Sequence, residues 1–131
     1  LTIASVLFSG TAARFPDIRF IWSHGGGTMP YITGRFGVNA NAKTPELPNG
    51  VLHEIQKFYY DTAQAFNEYT LPTFTKLVPL SHMLFGTDYP FARAETVTQG
   101  ISRFGFSPAA QRAVERDNAL ALFPRLRQAG A

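Results

Sequence analysis

Three short apolar segments dominate the sequence; each leads to a polar side chain, and helical patterns separate them. The segments are residues 18–22, 58–60 and 83–85, and the polar residues that follow them are His24, Asp61 and Asp88. Short, mostly apolar runs bounded by turn-forming residues are typical of buried strands in parallel sheets. Alternating helices and strands predict an α/β fold, in which right-handed helical crossovers join parallel strands.

Helical patterns lie before, between and after the predicted strands. The predicted helices cover residues 1–13, 30–36, 51–56, 67–77, 94–103 and 108–122. Asn67 is a suitable N-cap for the fourth of them, and Ser107 for the last, whose first turn also accommodates Pro108. The polar, proline-containing stretch 39–49 predicts a loop.

Three parallel strands cannot close a barrel, and both edges of their sheet would stay exposed. We therefore expect the C-terminal part of a TIM (β/α)8 barrel, about strands six to eight with their helices. The 131 residues begin with Leu1 rather than Met, which we interpret as a start partway through a longer protein. Residues 1–131 are thus predicted to form a single partial barrel domain whose N-terminal half is missing.

The composition excludes several classes of protein. The chain is 45% hydrophobic and 16% charged, so it has enough apolar material for a core and lacks the composition of a disordered chain. Its net charge of +3 is scattered, and we predict no nucleic-acid partner. No apolar run approaches the roughly 18 residues of a membrane span, and no cysteine is present for disulfides or thiolate metal sites. We expect a cytoplasmic protein without a membrane partner, because nothing directs it elsewhere.

The polar strand ends carry the chemistry that the sequence offers. In parallel α/β folds the C-terminal ends of strands face the ligand site. His24 precedes three glycines, which let the backbone approach a ligand closely, and its imidazole can bind a metal or transfer a proton. Asp88 could cap a helix or ligate a metal, and Tyr89-Pro90 weakens the capping interpretation. A single histidine of this kind is more often structural; the glycines and the matching aspartate favour function.

Other polar residues have weaker signals. For Asp61 we favour a structural role, either orienting a neighbouring group or capping the turn that follows it. Arg35 could bind a substrate carboxylate, although a solvated helical arginine is the commoner case. His82 precedes the third strand and therefore lies at the wrong end of it for catalysis.

Several stretches together resemble an amidohydrolase-related family that includes aminocarboxymuconate-semialdehyde decarboxylase and γ-resorcylate decarboxylase. Residues 15–27, running on to Arg35, resemble that family's sixth strand and its histidine loop. Residues 59–63 resemble the end of strand seven, residues 84–91 resemble strand eight with its aspartate, and residues 118–123 resemble the final helix. The resemblance covers nearly the whole chain.

This resemblance implies roles for individual residues. Asp88 would ligate a divalent metal, expected to be zinc, and His24 would position or deprotonate a metal-bound water or act as acid and base. Arg35 would reach the active site of a dimer partner and bind the substrate carboxylate, and Phe91 is predicted to contact the substrate. The resemblance thus implies a homodimeric hydrolase or non-oxidative decarboxylase (carboxy-lyase) for a small carboxylate or aromatic acid, with the choice of reaction left open.

The family's histidines from earlier strands, a His-x-His after strand one and a histidine after strand five, have no counterpart in the sequence. One aspartate and one histidine are too few for a stable metal site. We therefore predict that this chain alone neither holds metal tightly nor turns over substrate. An alternative is a non-catalytic half-barrel module that associates with a partner chain. A third hypothesis, a flavodoxin-like or Rossmann binding domain, has little support, because Gly25-Gly26-Gly27 lacks the glycine spacing of a dinucleotide-binding loop.

Overall fold

The three apolar segments form the centre of the fold as short parallel strands. The computed structural model of the protein describes residues 2–37 and 43–130. The strands are β1 (Ile21–Trp22), β2 (Tyr59–Asp61) and β3 (Met83–Leu84), and they lie in the order β1-β2-β3. Ile21 pairs with Tyr59, and Tyr60 pairs with Met83, both in parallel register. The predicted parallel α/β arrangement is confirmed, although each strand is shorter than its apolar run or shifted along it.

Helices surround this sheet. They are α1 (Thr2–Phe8), α2 (Thr11–Arg14), α3 (Val51–Lys57), α4 (Leu71–Leu77), α5 (Ala94–Arg103), α6 (Pro108–Arg112) and α7 (Asn118–Leu122). Segments of 3-10 helix cover His24–Gly26, Met29–Phe36, Leu80–His82 and Pro124–Gly130. A π-helical turn, Ala113–Asp117, joins α6 to α7 into one continuous helical segment.

Several helix predictions need correction. The predicted helix 1–13 is broken at Gly10, whose φ of 71° is left-handed and incompatible with a continuous right-handed helix. Residues 30–36 form part of a 3-10 segment rather than an α-helix. The helix predicted from Asn67 begins at Leu71, because the Asn67 side chain accepts hydrogen bonds from the backbone N–H groups of Tyr69 and Thr70 and stabilises a turn before it. Residues 38–42 of the predicted loop 39–49 lie outside the described residues.

The core lies between the sheet and the helices on it. Fully buried side chains come from β2, β3 and most helices: Leu7, Ile55, Tyr60, Phe74, Met83, Val97, Ile101 and Val114. The Tyr60 hydroxyl donates a hydrogen bond of 2.9 Å to the backbone oxygen of Ile55, and burial raises the pKa of its phenol. Within the part of the chain that the structure describes, no helix is long and apolar enough to cross a membrane.

Asn118 attaches the C-terminal helix to the third strand. Its side chain is buried, and Nδ2 donates hydrogen bonds of 2.7 Å to the Leu80 oxygen and 2.8 Å to the Met83 oxygen. We expect Asn118→Ala to lower the free energy of unfolding by about 2 kcal/mol, because a part-buried carbonyl group (Leu80) and a buried one (Met83) lose their donor. Urea denaturation measures this change. Asn67→Ala, which removes exposed side-chain hydrogen bonds to the turn before α4, is the comparison and is expected to cost about 1 kcal/mol. Equal losses for both variants would contradict this role of Asn118.

Candidate active site

The structure brings His24 and Asp88 together at the C-terminal ends of the strands. His24 follows β1 and Asp88 follows β3, and β2 lies between these strands. His24 Nε2 is 3.5 Å from Asp88 Oδ2, and the two side chains are 44% and 25% exposed. A basic nitrogen and a carboxylate oxygen thus face each other at a surface that solvent and small molecules can reach. This is the edge of the sheet at which parallel α/β folds bind their ligands.

Asp61 fixes the loop that carries His24. Its Oδ1 atom accepts a hydrogen bond of 2.7 Å from the backbone N–H of His24 and one of 3.0 Å from that of Ala63. A carboxylate that accepts two backbone hydrogen bonds is a strong anchor, because charge-assisted hydrogen bonds are stronger than neutral ones. Asp61 therefore holds the loops after β1 and β2 together, which is a structural role of the kind favoured from the sequence.

Ser23 contacts the other side of the His24 ring. The Ser23 hydroxyl and His24 Nδ1 are 2.6 Å apart, and the tautomer of the ring decides which atom is the donor. Because Nε2 faces Asp88, both nitrogens of the imidazole have a polar neighbour. The ring is thereby oriented, and its Nε2 atom is the one available for chemistry beside the carboxylate.

Packing within the fold requires two of the three glycines after His24. Gly25 and Gly26 have left-handed φ values of 59° and 82°, which favour glycine. A Cβ atom on Gly25 would lie 2.9 Å from the Ala65 Cβ, and one on Gly26 would lie 3.0 Å from a ring carbon of Tyr60. The loop therefore needs glycine at both positions to pack against β2 and the turn that follows it. Gly27 differs, because no atom lies within 4 Å of its Cβ position.

A cavity of about 350 Å³ adjoins the histidine loop. Ser23, Gly26, Gly27 and Thr28 form one side of it, and the first residues of α1 form another. Trp22 also lines this cavity, and its Nε1 atom is buried without a hydrogen-bond partner among the described residues. The cavity lies beside the His24–Asp88 pair rather than around it.

The other predicted residues lie outside this pair. Arg35 is exposed and, within residues 2–37 and 43–130, forms no ion pair. Phe91 is 86% exposed, and its backbone N–H donates a hydrogen bond of 2.8 Å to the backbone oxygen of Asp88. His82 stacks on Tyr59 and precedes β3, at the end of the strand away from Asp88, as predicted. A substrate-binding role for Arg35 or Phe91 stays a prediction.

Gln64 is a neighbour of Asp88 that the sequence analysis missed. Its Nε2 atom donates a hydrogen bond of 3.2 Å to Asp88 Oδ2, the same oxygen that faces His24. An exposed glutamine in a loop has no compositional signal. The one available hint was its position three residues after Asp61, at the end of a strand that leads to the site.

The donor set fits part of a divalent-metal site. Asp88 offers a carboxylate oxygen and His24 an imidazole nitrogen, both of which bind first-row divalent metals. Asp61 is less available, because its Oδ1 accepts two backbone hydrogen bonds. No group of three or more metal-binding side chains occurs in the described part of the chain. The chain can therefore contribute ligands to a metal, but these two donors do not complete a site.

The fold and the site define a three-stranded parallel α/β unit that carries a histidine–aspartate pair at the C-terminal ends of its strands. The chain belongs to the amidohydrolase family: the model of the family described as Amidohydrolase matches residues 1–125. The resemblance found in the sequence is confirmed.

Two curated relatives are decarboxylases. The chain is 34% identical over 142 residues to 6-methylsalicylic acid decarboxylase of Aspergillus aculeatus, covering 99% of this chain and 43% of that protein. It is 33% identical over 102 residues to 2-amino-3-carboxymuconate-6-semialdehyde decarboxylase of Dictyostelium discoideum, covering 74% of this chain and 28% of that protein. The chain thus spans less than half the length of these curated relatives.

Solved structures of two decarboxylases have the same fold over the matched region. Dihydroxybenzoic acid decarboxylase from a Polaromonas species, solved with manganese and 2-nitroresorcinol, matches with a TM-score of 0.79 and 26% identity, covering 95% of this chain and 39% of that one. 2,6-Dihydroxybenzoate decarboxylase in complex with 2,6-dihydroxybenzoate matches with a TM-score of 0.76 and 25% identity, covering 91% of this chain and 38% of that one.

Proposed function

We propose that the protein carrying this chain is a metal-dependent carboxy-lyase that removes CO2 from a small aromatic acid. The observation that carries this proposal is the His24–Asp88 pair, 3.5 Å apart at the C-terminal ends of the strands. Membership of the amidohydrolase family supports it, and relatives named as decarboxylases favour decarboxylation over hydrolysis. The strands β1, β2 and β3 would be the sixth, seventh and eighth of a closed barrel.

The chain's own residues supply two functions in this reaction. Asp88 would hold a divalent metal, and the metal would supply positive charge that polarises the oxygen atoms of the substrate. Zinc is the predicted ion, and manganese is the alternative that a solved neighbour suggests. His24 Nε2 would hold and move a proton: when the bond from the ring carbon to the carboxyl group breaks, the electron pair left on that carbon takes up a proton and CO2 leaves.

Further residues complete the proposal. Arg35 would bind the substrate carboxylate in a homodimer by reaching across to the partner's site, and Phe91 would pack against the aromatic ring of the substrate. The exposure of both side chains is compatible with partners from outside this chain. We propose the cytoplasm as the location of the protein.

The sheet edges support the view that these residues are part of a larger barrel. Within the described residues, β1 and β3 each pair with β2 only. Ile18 and Ile21 are 53% and 43% exposed, and the indole N–H of Trp22 is buried without an acceptor from residues 2–37 or 43–130. The same open edge is what a non-catalytic half-barrel module would use to bind a partner chain, which is the second candidate function. Metal content and activity separate the two candidates.

The 131-residue chain alone is expected to lose zinc during dialysis against a mild chelator. Asp88, even if His24 were added as a second ligand, cannot hold the ion against a competing chelator, because stable zinc sites in proteins use three or four ligands. Metal analysis of the dialysed protein gives the result. Zinc retained at one ion per chain would contradict this prediction and would indicate a complete site within residues 1–131.

The proposed activity is tested with the protein as its gene encodes it. The coding DNA upstream of Leu1 shows whether an early strand with a His-x-His sequence precedes these residues. CO2 release from 6-methylsalicylate and 2,6-dihydroxybenzoate then measures decarboxylation, with and without added Zn²⁺ or Mn²⁺. Metal-dependent CO2 release supports the carboxy-lyase. A metal-free protein that releases no CO2 from either acid would leave the half-barrel module as the better account.

A further inference from the structure

Three residues with unusual backbone conformations meet at one point: the side chains of two of them approach a carboxylate oxygen of the third. His24, Gln64 and Asp88 have φ values of 56°, 54° and 63°, and they are the non-glycine residues with left-handed φ in the described ranges. Gln64 Nε2 and His24 Nε2 lie 3.2 Å and 3.5 Å from Asp88 Oδ2. Left-handed conformations are unfavourable for residues with a Cβ, and they cluster at functional sites where surrounding contacts enforce them.

Hydrogen bonds on both sides enforce the conformation of Gln64. On one side, the backbone N–H of Ala63 donates a hydrogen bond to Asp61 Oδ1. On the other side, the backbone N–H of Ala65 donates a hydrogen bond of 2.9 Å to the backbone oxygen of Thr62. The Asn67 side chain donates a hydrogen bond of 3.1 Å to the backbone oxygen of Gln64. Ala63 and Ala65 are buried, whereas Gln64 is exposed. The turn therefore directs the one long side chain of this segment to Asp88.

The chemistry of an amide suits this position. An ionised carboxylate only accepts hydrogen bonds, so the Gln64 side chain must present its NH2 group to Asp88 Oδ2. The amide is neutral and therefore neither repels a cation nor neutralises the carboxylate. No donor from residues 2–37 or 43–130 bonds to Asp88 Oδ1. One oxygen of Asp88 is thus held in place while the other stays available.

We infer that Gln64 is a positioning residue, which holds Asp88 by Oδ2 so that Oδ1 is presented to the metal. This inference rests on the proposed function, because it takes Asp88 as a metal ligand. Side chains that orient a metal ligand typically change metal affinity by about 10- to 100-fold when they are replaced. A role in the backbone turn alone would leave the affinity unchanged.

The test compares two replacements of Gln64 in the protein as its gene encodes it. Gln64→Leu removes the hydrogen-bond donor and keeps a side chain with a Cβ at the unfavourable left-handed φ. Gln64→Gly also removes the donor, but it relieves the backbone strain, because glycine adopts a left-handed φ readily. Titration with Mn²⁺, followed by the electron paramagnetic resonance signal of the unbound ion, is expected to give a Kd raised about 10- to 100-fold for both. The melting temperature of Gln64→Gly is expected to equal or exceed that of the wild type.

Gln99→Leu is the matched control. Gln99 is exposed on α5 and has no side-chain hydrogen bond within the described residues, so the same exchange there should leave the Kd unchanged. Wild-type affinity in both Gln64 variants would overturn this inference and leave the proposed function standing. A wild-type protein that binds no Mn²⁺ would overturn the proposed function and this inference together.

Discussion

In the protein as its gene encodes it, Asp88→Asn is expected to lower kcat/KM for decarboxylation about 1,000-fold and to abolish retention of the metal. Asparagine keeps the size of the side chain but removes the negative charge that binds the cation. Stabilisation of developing charge by a bound metal is worth several kcal/mol, and each 1.36 kcal/mol corresponds to a factor of ten in rate. A loss of about 4 kcal/mol therefore gives about three powers of ten. Steady-state rates of CO2 release and metal analysis of the purified variant measure both effects.

Asp117→Asn is the control for this experiment. Asp117 is partly exposed and pairs with Arg112 and Arg116 on the surface of the C-terminal helical segment. The same change of charge there should leave metal content and rate unaltered, because exposed ion pairs contribute at most about 1 kcal/mol to stability. An Asp88→Asn variant that retains its metal and remains within tenfold of the wild-type rate would exclude Asp88 as a ligand.

The location of the site follows from a property of parallel sheets that the sequence reveals. Apolar runs identify the strands, and the polar residue after each run must lie at the same edge of the sheet because the strands are parallel. This is why His24 and Asp88 could be placed together although many residues separate them. The histidine loop also needs glycines because Ala65 and Tyr60 pack against it, which the sequence alone does not show.

Features that depend on contacts distant in sequence could not be predicted. The strands β1 and β3 have two residues each, because pairing with β2 rather than apolar character sets their length. Local hydrogen bonds that involve Asp61, Thr62 and Asn67 stabilise the left-handed turn at Gln64. The contact between the Gln64 amide and Asp88 joins residues 24 positions apart, so no local pattern predicts it. A glutamine next to a functional aspartate becomes visible only when both loops are folded.

Gly86→Ala is expected to have the largest effect on stability, lowering the free energy of unfolding by about 4 kcal/mol. Overpacking a filled site costs about 1–3 kcal/mol, and a lost hydrogen bond to a charged group costs about 1.5–3 kcal/mol. A Cβ atom on Gly86 would lie 2.7 Å from both Cβ and Cγ of Asp61. Rotation of the Asp61 side chain cannot relieve this overlap, because no rotation about χ1 moves its Cβ.

The backbone of Gly86 cannot move away either, because the Thr62 hydroxyl binds it on both sides. Thr62 Oγ1 accepts a hydrogen bond of 3.1 Å from the backbone N–H of Gly86 and donates one of 3.2 Å to the backbone oxygen of Gly86. Asp61 must therefore shift and weaken its bonds to the backbone of His24 and Ala63, so metal affinity should fall together with stability. Urea denaturation measures the stability.

Two comparisons separate steric overlap from backbone strain. Gly86 is not among the residues with left-handed φ, so alanine is allowed there by its backbone. Gly105 has a φ of 82° and no atom within 4 Å of its Cβ position, so Gly105→Ala measures strain alone, about 1 kcal/mol. Combining Gly86→Ala with Asp61→Gly removes the overlapping carbon atoms, and the double variant should lose less than the sum of the single losses. If Gly86→Ala costs no more than Gly105→Ala, contact between Gly86 and Asp61 does not hold the histidine loop in place.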